Sequence, residues 1–258
     1  MSSAQLAQVL AQPGSIEARH VLARAWEAAG DPRGTLLRAL LDLEALERDN
    51  YNSKQTRAAR VAVRPLLEQH RKALVGDVAG LVADYELVRG LVGKVTISVD
   101  QFLSAAPALF AAAPVQHLVL TAPATQWASV VGSPYLERLV SVQATGLGLG
   151  DGGASALAAS PHAARLRWID LADNGIGRPG VERLAAAPQL ASVAYLGLRG
   201  NPADPTPKII DLDGIRHVER PPVAVELERT YGPRPWLSGP ADPDQPWPPR
   251  PDDLARTA

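Results

Sequence analysis

The chain has 258 residues, 46% of them apolar, with 26 basic and 27 acidic side chains and a net charge of −1. So even a balance gives no global attraction to nucleic acid or to an anionic membrane, and neither is expected as a partner. There is no cysteine, which removes disulfides and thiolate chemistry and fits a reducing compartment.

The N-terminus, Met1-Ser2-Ser3-Ala4-Gln5, lacks the basic and long apolar segments of a secretory signal. No apolar run approaches the roughly 18 residues of a membrane span. A soluble, cytoplasmic, bacterial protein is expected, the Ala/Arg/Pro-rich composition fitting a GC-rich genome.

Residues 1–90 read as a helical cap. Leu6, Val9 and Leu10 have helical spacing. Ser15 can cap a second helix carrying Ile16, Val21, Leu22 and Trp26, which Gly30 ends. Asp31-Pro32 then supplies an N-cap and a proline at the first helical position, ahead of Leu36, Leu37, Leu40, Leu41, Leu43 and Leu46. Asp49 to Ser53 is a polar loop. A further helix covers about Gln55 to Leu74, with a kink at Pro65. With 12 Lys/Arg and 11 Asp/Glu, the region is balanced in charge.

Residues 91–204 carry a repeat. Leu166-Arg167-Trp168-Ile169-Asp170-Leu171-Ala172-Asp173-Asn174 and, 27 residues on, Val193-Ala194-Tyr195-Leu196-Gly197-Leu198-Arg199-Gly200-Asn201 both read L-x-x-L-x-L-x-x-N, allowing Ile or Val for Leu. Positions 1, 4 and 6 point into a shared core, and the Asn amide can satisfy backbone groups where the strand turns away. Stepping back 27 residues gives Leu139, Val142 and Ala144. Two shorter, weaker units precede these, with Val115, Leu118 and Leu120 at positions 1, 4 and 6 of one and Val92, Val95 and Ile97 at those of the other. Position 9 of the early units holds Asp100, Pro123 and Leu147, so their turns must close differently. Ala- and Leu-rich stretches ending at Pro161 and Pro188 read as short helices. Stacking of the five units predicts parallel strands near 95–97, 118–120, 142–144, 169–171 and 196–198 with crossovers on one side.

Residues 205–237 break the repeat and form a C-terminal cap. Ile209, Ile210 and Leu212 can add one more strand and Val223 to Tyr231 a short helix. Residues 238–258 are a Pro-rich tail, expected to be disordered, and Trp236 with Trp247-Pro248-Pro249-Arg250-Pro251 has the character of a polyproline docking ligand.

These motifs resemble the bacterial leucine-rich repeat proteins with an N-terminal repeat-companion domain. The resemblance rests on the turn Gly30-Asp31-Pro32-Arg33-Gly34, on Val88-Arg89-Gly90-Leu91-Val92 as lead-in to the first repeat, and on the repeats. Family members often carry Tyr-Ala-Asp-Trp-Leu-Glu before the turn. Here Leu22-Ala23-Arg24-Ala25-Trp26-Glu27 keeps the Trp and loses the Asp. The resemblance implies a ribonuclease-inhibitor-like α/β horseshoe, with a parallel sheet on the concave side and helices on the convex side. It implies little about function.

The candidate chemistry is sparse. Gly146-Leu147-Gly148-Leu149-Gly150-Asp151-Gly152-Gly153 has the composition of a phosphate loop, but it aligns with the repeat turn Asp173 to Gly180 and lacks the following Lys-Ser/Thr. His20, His70, His117, His162 and His217 form no ligand cluster, so no metal and no cofactor is expected. There is no nucleophile elbow, and Asp170 with Asp173 has no evident acid/base partner. The better candidate is the outward face of the strands. Position 3 gives Lys94, His117, Ser141, Trp168 and Tyr195, position 5 includes Gln143 and Asp170, and position 7 includes Arg199. Trp168 and Tyr195 should lie side by side as exposed aromatics near Asp170 and Arg199, the residue types that anchor interfaces. Covering of the sheet by these two rings is the bland alternative.

The expected function is that of a non-enzymatic interaction module or scaffold. It would bind a protein partner through Trp168, Asp170, Tyr195, Arg199, His117 and Gln143. The competing expectations are a nucleotide-binding regulator or enzyme using the Gly146–Gly153 turn, and a structural subunit of a larger assembly.

Overall fold

A computed structural model describes residues 2–212 and 215–239. The Pro-rich segment from 240 onward, including Trp247 to Pro251, lies outside them. The chain divides into two compact units, one of Met1–Val95 with Pro107–Val115 and one of Thr96–Ala106 with Gln116–Ala258. The class is α/β: helices accompany a mostly parallel six-stranded sheet.

In the first unit four helices run in succession, α1 (Ser2–Ala11), α2 (Ile16–Ala28), α3 (Pro32–Asn50) and α4 (Lys54–Val75). The starts of α2 and α3 are fixed as the sequence predicts. Ser15 accepts a hydrogen bond from the Ala18 amide and Asp31 from the Arg33 amide, with Pro32 entering the first turn. Each residue of the 30–34 turn has a physical reason. Gly30 has φ +70°, a left-handed value. Arg33 holds Asp31 and stacks over the Trp26 ring at 4.5 Å. A Cβ on Gly34 would meet the Ala23 carbonyl at 2.6 Å, so glycine sets the close approach of α3 to α2. Val9, Leu22, Trp26, Leu37, Leu41 and Leu91 fill the core between them. Helix α4 continues through the exposed Pro65.

The stretch read as a lead-in to the repeats is a hairpin that the sequence reading missed. Strands β1 (Asp84–Val88) and β2 (Leu91–Ser98) are joined by Arg89 and Gly90, with φ +50° and +75°. Two successive positive φ values are the requirement of a tight type I′ turn. Arg19, 1% exposed, donates to the carbonyls of Arg89 (3.1 Å) and Pro13 (2.6 Å). Arg89 donates to the carbonyl of Gly14 (2.6 Å). The two guanidiniums tie the β1–β2 turn to the α1–α2 loop. Burial, with Arg89 close by, lowers the Arg19 pKa to about 10.

Helix α5 (Val99–Ala112) follows β2. The chain then alternates through β3 (His117–Thr121), α6 (Trp127–Val131), β4 (Ser141–Gln143), α7 (Gly150–Ala158), β5 (Trp168–Asp170), α8 (Arg178–Ala186) and β6 (Tyr195–Gly197). The pairs β3–β4, β4–β5 and β5–β6 are parallel. Their register places Leu118, Val142, Ile169 and Leu196 in one row, which is position 4 of the repeat. Strands β3 to β6 begin one residue before the expected ones, and β2 begins four residues before its own. Leu139, Leu166 and Val193 are fully buried, as are Ala144, Leu171 and Leu198. Helix α7 packs against both α6 and α8.

The C-terminal strand departs from expectation. Instead of extending the parallel sheet, β7 (Lys208–Leu212) pairs antiparallel with β8 (Ile215–Glu219) in a separate two-stranded sheet. Pro202, Pro205 and Pro207 intervene, and proline cannot donate the ladder bonds that a seventh parallel strand would need. Helices α9 (Pro222–Tyr231) and α10 (Pro235–Ser238) follow, α9 packs on α8, and α10 buries Trp236, 2% exposed, so this ring is core and no docking aromatic.

Candidate partner-binding face

The turns that launch the sheet face are locked by asparagine. The Asn174 side chain is 2% exposed. Its Oδ1 accepts from the amides of Leu147 (2.9 Å) and Leu149 (3.3 Å). Its Nδ2 donates to the carbonyls of Ala144 (2.7 Å) and Ala172 (3.0 Å). Asn201 repeats the arrangement, accepting from Asn174 (3.0 Å) and Ile176 (2.9 Å) and donating to Leu171 and Leu198, both at 2.9 Å. Each Asn therefore satisfies the turn of the repeat before its own. Where Asn is missing, Asp100 substitutes in its own way, accepting from the Thr125 hydroxyl (2.7 Å) and the Gln126 amide (3.0 Å).

The same network fills the Gly-rich turn. Beyond Leu147 and Leu149, the Gly146 and Gly150 amides donate to the carbonyls of Ala172 and Asn174, each at 2.9 Å. Gly146, Gly148 and Gly150 have φ of +69°, +67° and +57°. The glycines serve the backbone path. Asp151, in the first turn of α7, points its carboxylate at the next repeat and accepts from the amides of Gly177 (2.7 Å) and Gly180 (3.1 Å). An open cavity of about 440 Å³ adjoins this turn, lined by Ala124, Thr125, Trp127, Leu147, Leu149 and Ala156 among others. It offers one hydroxyl and no basic side chain.

On the sheet face the register brings His117, Ser141, Trp168 and Tyr195 into one row, with Gln143, Asp170 and Gly197 in the next. Trp168 and Tyr195 do stand side by side, their ring centroids 5.1 Å apart and stacked. They are not exposed. Trp168 is 8% and Tyr195 9% accessible, and His117 is 1%. Strands this close let neighbouring rings shield each other. Gly197 supplies the rest of the reason. A Cβ there would lie 2.5 Å from the Tyr195 hydroxyl and 2.7 Å from Asp170 Oδ1, so the phenol folds down over Gly197, towards Asp170. Burial pushes the Tyr195 pKa up to about 12, the Asp170 charge adding to the rise and Arg199 opposing it. His117 Nδ1 lies 2.9 Å from the Ser141 hydroxyl, within the buried row.

The accessible part of the face is polar. Gln143 and Asp170 are half-buried and Arg199 is exposed. Asp170 Oδ1 is partly engaged, accepting from the Ala172 amide at 3.0 Å. The arrangement is a rigid aromatic floor with an acidic, an amide and a basic group at its margin. Among the described residues no group of three or more His, Asp or Glu is placed to hold a metal ion, and no helix is long and apolar enough to cross a membrane.

Sequence reasoning foresaw the row and its neighbours but missed the Asp151 bridge and the burial of the aromatics. The signal for the burial was Gly197, the only glycine at position 5. Compared with family models, with curated proteins and with solved structures, the chain matches none.

Proposed function

We propose that residues 91–204 are a leucine-rich repeat horseshoe and that the protein is a non-enzymatic interaction module. It engages a protein partner on the strand face, and the N-terminal unit acts as a repeat-companion cap. The observation that carries this is the buried asparagine ladder joining parallel strands in 27-residue register. A repeat array held this way presents an extended, preorganised surface suited to binding. The contact groups are Gln143, Asp170 and Arg199, resting on Trp168 and Tyr195, with His117 inside the row as support. Rigid aromatics beside an arginine suit an interface centre. A bacterial cytoplasm fits the cysteine-free chain.

The nucleotide reading has less support. A phosphate would need free amides at the Gly-rich turn. Four of these amides are already engaged, and Asp151 adds negative charge beside them.

Quantitative affinity capture tests the proposal, comparing wild type with Asp170→Asn, which keeps the acceptor for the Ala172 amide, Arg199→Ala and a Gly239–Ala258 deletion. The same captured protein should be lost from both point variants, whose thermal midpoints stay unchanged, and kept by the deletion. Loss only on deletion would transfer the binding role to the tail.

A further inference from the structure

We propose that the outward face of α4 is a second docking surface, specific for an acidic helical segment of another protein that carries carboxylates at heptad spacing. The first unit is polarised in charge. Residues 1–50 carry five basic and seven acidic side chains, whereas α4 carries six basic ones (Lys54, Arg57, Arg60, Arg64, Arg71 and Lys72) and one acidic. The buried face of α4 is small, with Thr56 near its N-terminal end, Val63 near its centre and Val75 at its C-terminal end. On a helix of 3.6 residues per turn, Lys54, Arg57, Val61, Arg64, Glu68, Arg71 and Lys72 fall within a stripe about 100° wide, and all seven are exposed.

Within the stripe, Arg57, Arg64 and Arg71 recur every seven residues, about 10.5 Å apart along the axis at 1.5 Å per residue. Lys54, Arg57 and Lys72 have no ion-pair partner among the described residues. Arg64 shares its charge with Glu68 in a pair whose side chains are 82% and 68% exposed. Val61, 75% exposed, lies between Arg57 and Arg64.

The pattern selects among anionic partners. A membrane surface would need a broad apolar face, and the stripe offers one valine. A nucleic acid would need the flanks basic too, but α3 beside α4 carries Asp42, Glu44, Glu47 and Asp49. A helix repeats its own side chains every seven residues over two turns. It can set one carboxylate against each arginine in bidentate fashion and an apolar side chain against Val61.

The test is fluorescence anisotropy on the full chain at about 50 mM and about 300 mM salt, which changes the screening length. The probe is a helical peptide of about 20 residues with Glu at two positions of every heptad on one face. Controls are a peptide of the same composition with the Glu residues shuffled, a DNA duplex, and vesicles rich in anionic lipid. The patterned peptide should bind about ten-fold tighter than the shuffled one, as three exposed charge pairs allow. The Arg57→Gln/Arg64→Gln/Arg71→Gln variant should lose that advantage while staying folded, its thermal midpoint lowered only by the lost stacking of Arg71 over the Tyr85 ring. The variant with Glu at the same three positions should instead prefer a Lys version of the peptide. Equal binding of patterned and shuffled peptides, or tighter binding of the duplex or the vesicles, overturns the proposal.

Discussion

Replacing Asn174 by Ala tests the ladder directly. The change removes four hydrogen bonds made by a side chain that is 2% exposed. The Ala172 carbonyl keeps a partner in the Gly146 amide. The Leu147 and Leu149 amides and the Ala144 carbonyl lose theirs. Both leucines are half-buried, so water reaches their amides in part. Counting about 1 kcal/mol for each lost bond, with a larger share for the most enclosed group, gives a loss of ~3–4 kcal/mol. Urea titration followed by circular dichroism measures it from the shift in midpoint at constant slope. Asn201→Ala should cost a similar amount. The double substitution should be non-additive, because Asn201 Oδ1 holds the Asn174 amide. A loss below about 0.5 kcal/mol for Asn174→Ala, within the ordinary surface range, would refute the reasoning.

Other consequences can be measured in the same way. Leu171→Ala, at a fully buried position 6, should destabilise by ~2–5 kcal/mol in the same titration. Gly200→Ala should cost ~1–2 kcal/mol, the penalty of a left-handed residue, because φ there is +76° and the exposed Asp173 carboxylate can rotate away from the added Cβ. Tyr195 ionises late, so the stability it contributes is complete below its ordinary pKa near 10 and is lost as pH rises through about 12. Alkaline absorbance titration should show one delayed tyrosine, absent in Tyr195→Phe. Substituting Gly148 and Gly150 should reduce stability through their positive φ without changing any calorimetric response to ATP, GTP or NAD(P); saturable nucleotide binding abolished by these substitutions would contradict the reading of the turn.

The strand order and the caps were legible because each is written locally. Position 4 of the repeat fixes Leu118, Val142, Ile169 and Leu196, and Asp31-Pro32 needs no tertiary context to start a helix. What escaped the sequence depends on meetings across it. The β1–β2 turn uses Arg89, an ordinary arginine until its φ of +50° and its bond to Gly14 are known. The aromatic pair was legible as a pair because the register alone brings it together. Its burial was not, because it depends on the space left by Gly197, and alternation along a strand gives direction without depth. The β7–β8 pairing was missed because an apolar run specifies a strand and leaves its neighbour open.

The asparagine ladder also has a direction in time. Each Asn reaches back, so the turn at 147–149 lacks its acceptor until residue 174 exists, and the turn at 174–176 waits for residue 201. On a ribosome working from the N-terminus, the repeats that begin at Leu139 and Leu166 are each completed by the synthesis of their successor. A chain released after residue 190 would contain all of β5 and α8, yet the turn between them would be open. The repeats cannot be shortened from the C-terminal end one unit at a time without exposing the amides of the unit that remains. An added copy carrying its own Asn is accommodated most readily between β5 and β6, where that Asn closes the turn at 174–176 and Asn201 closes the turn of the added copy.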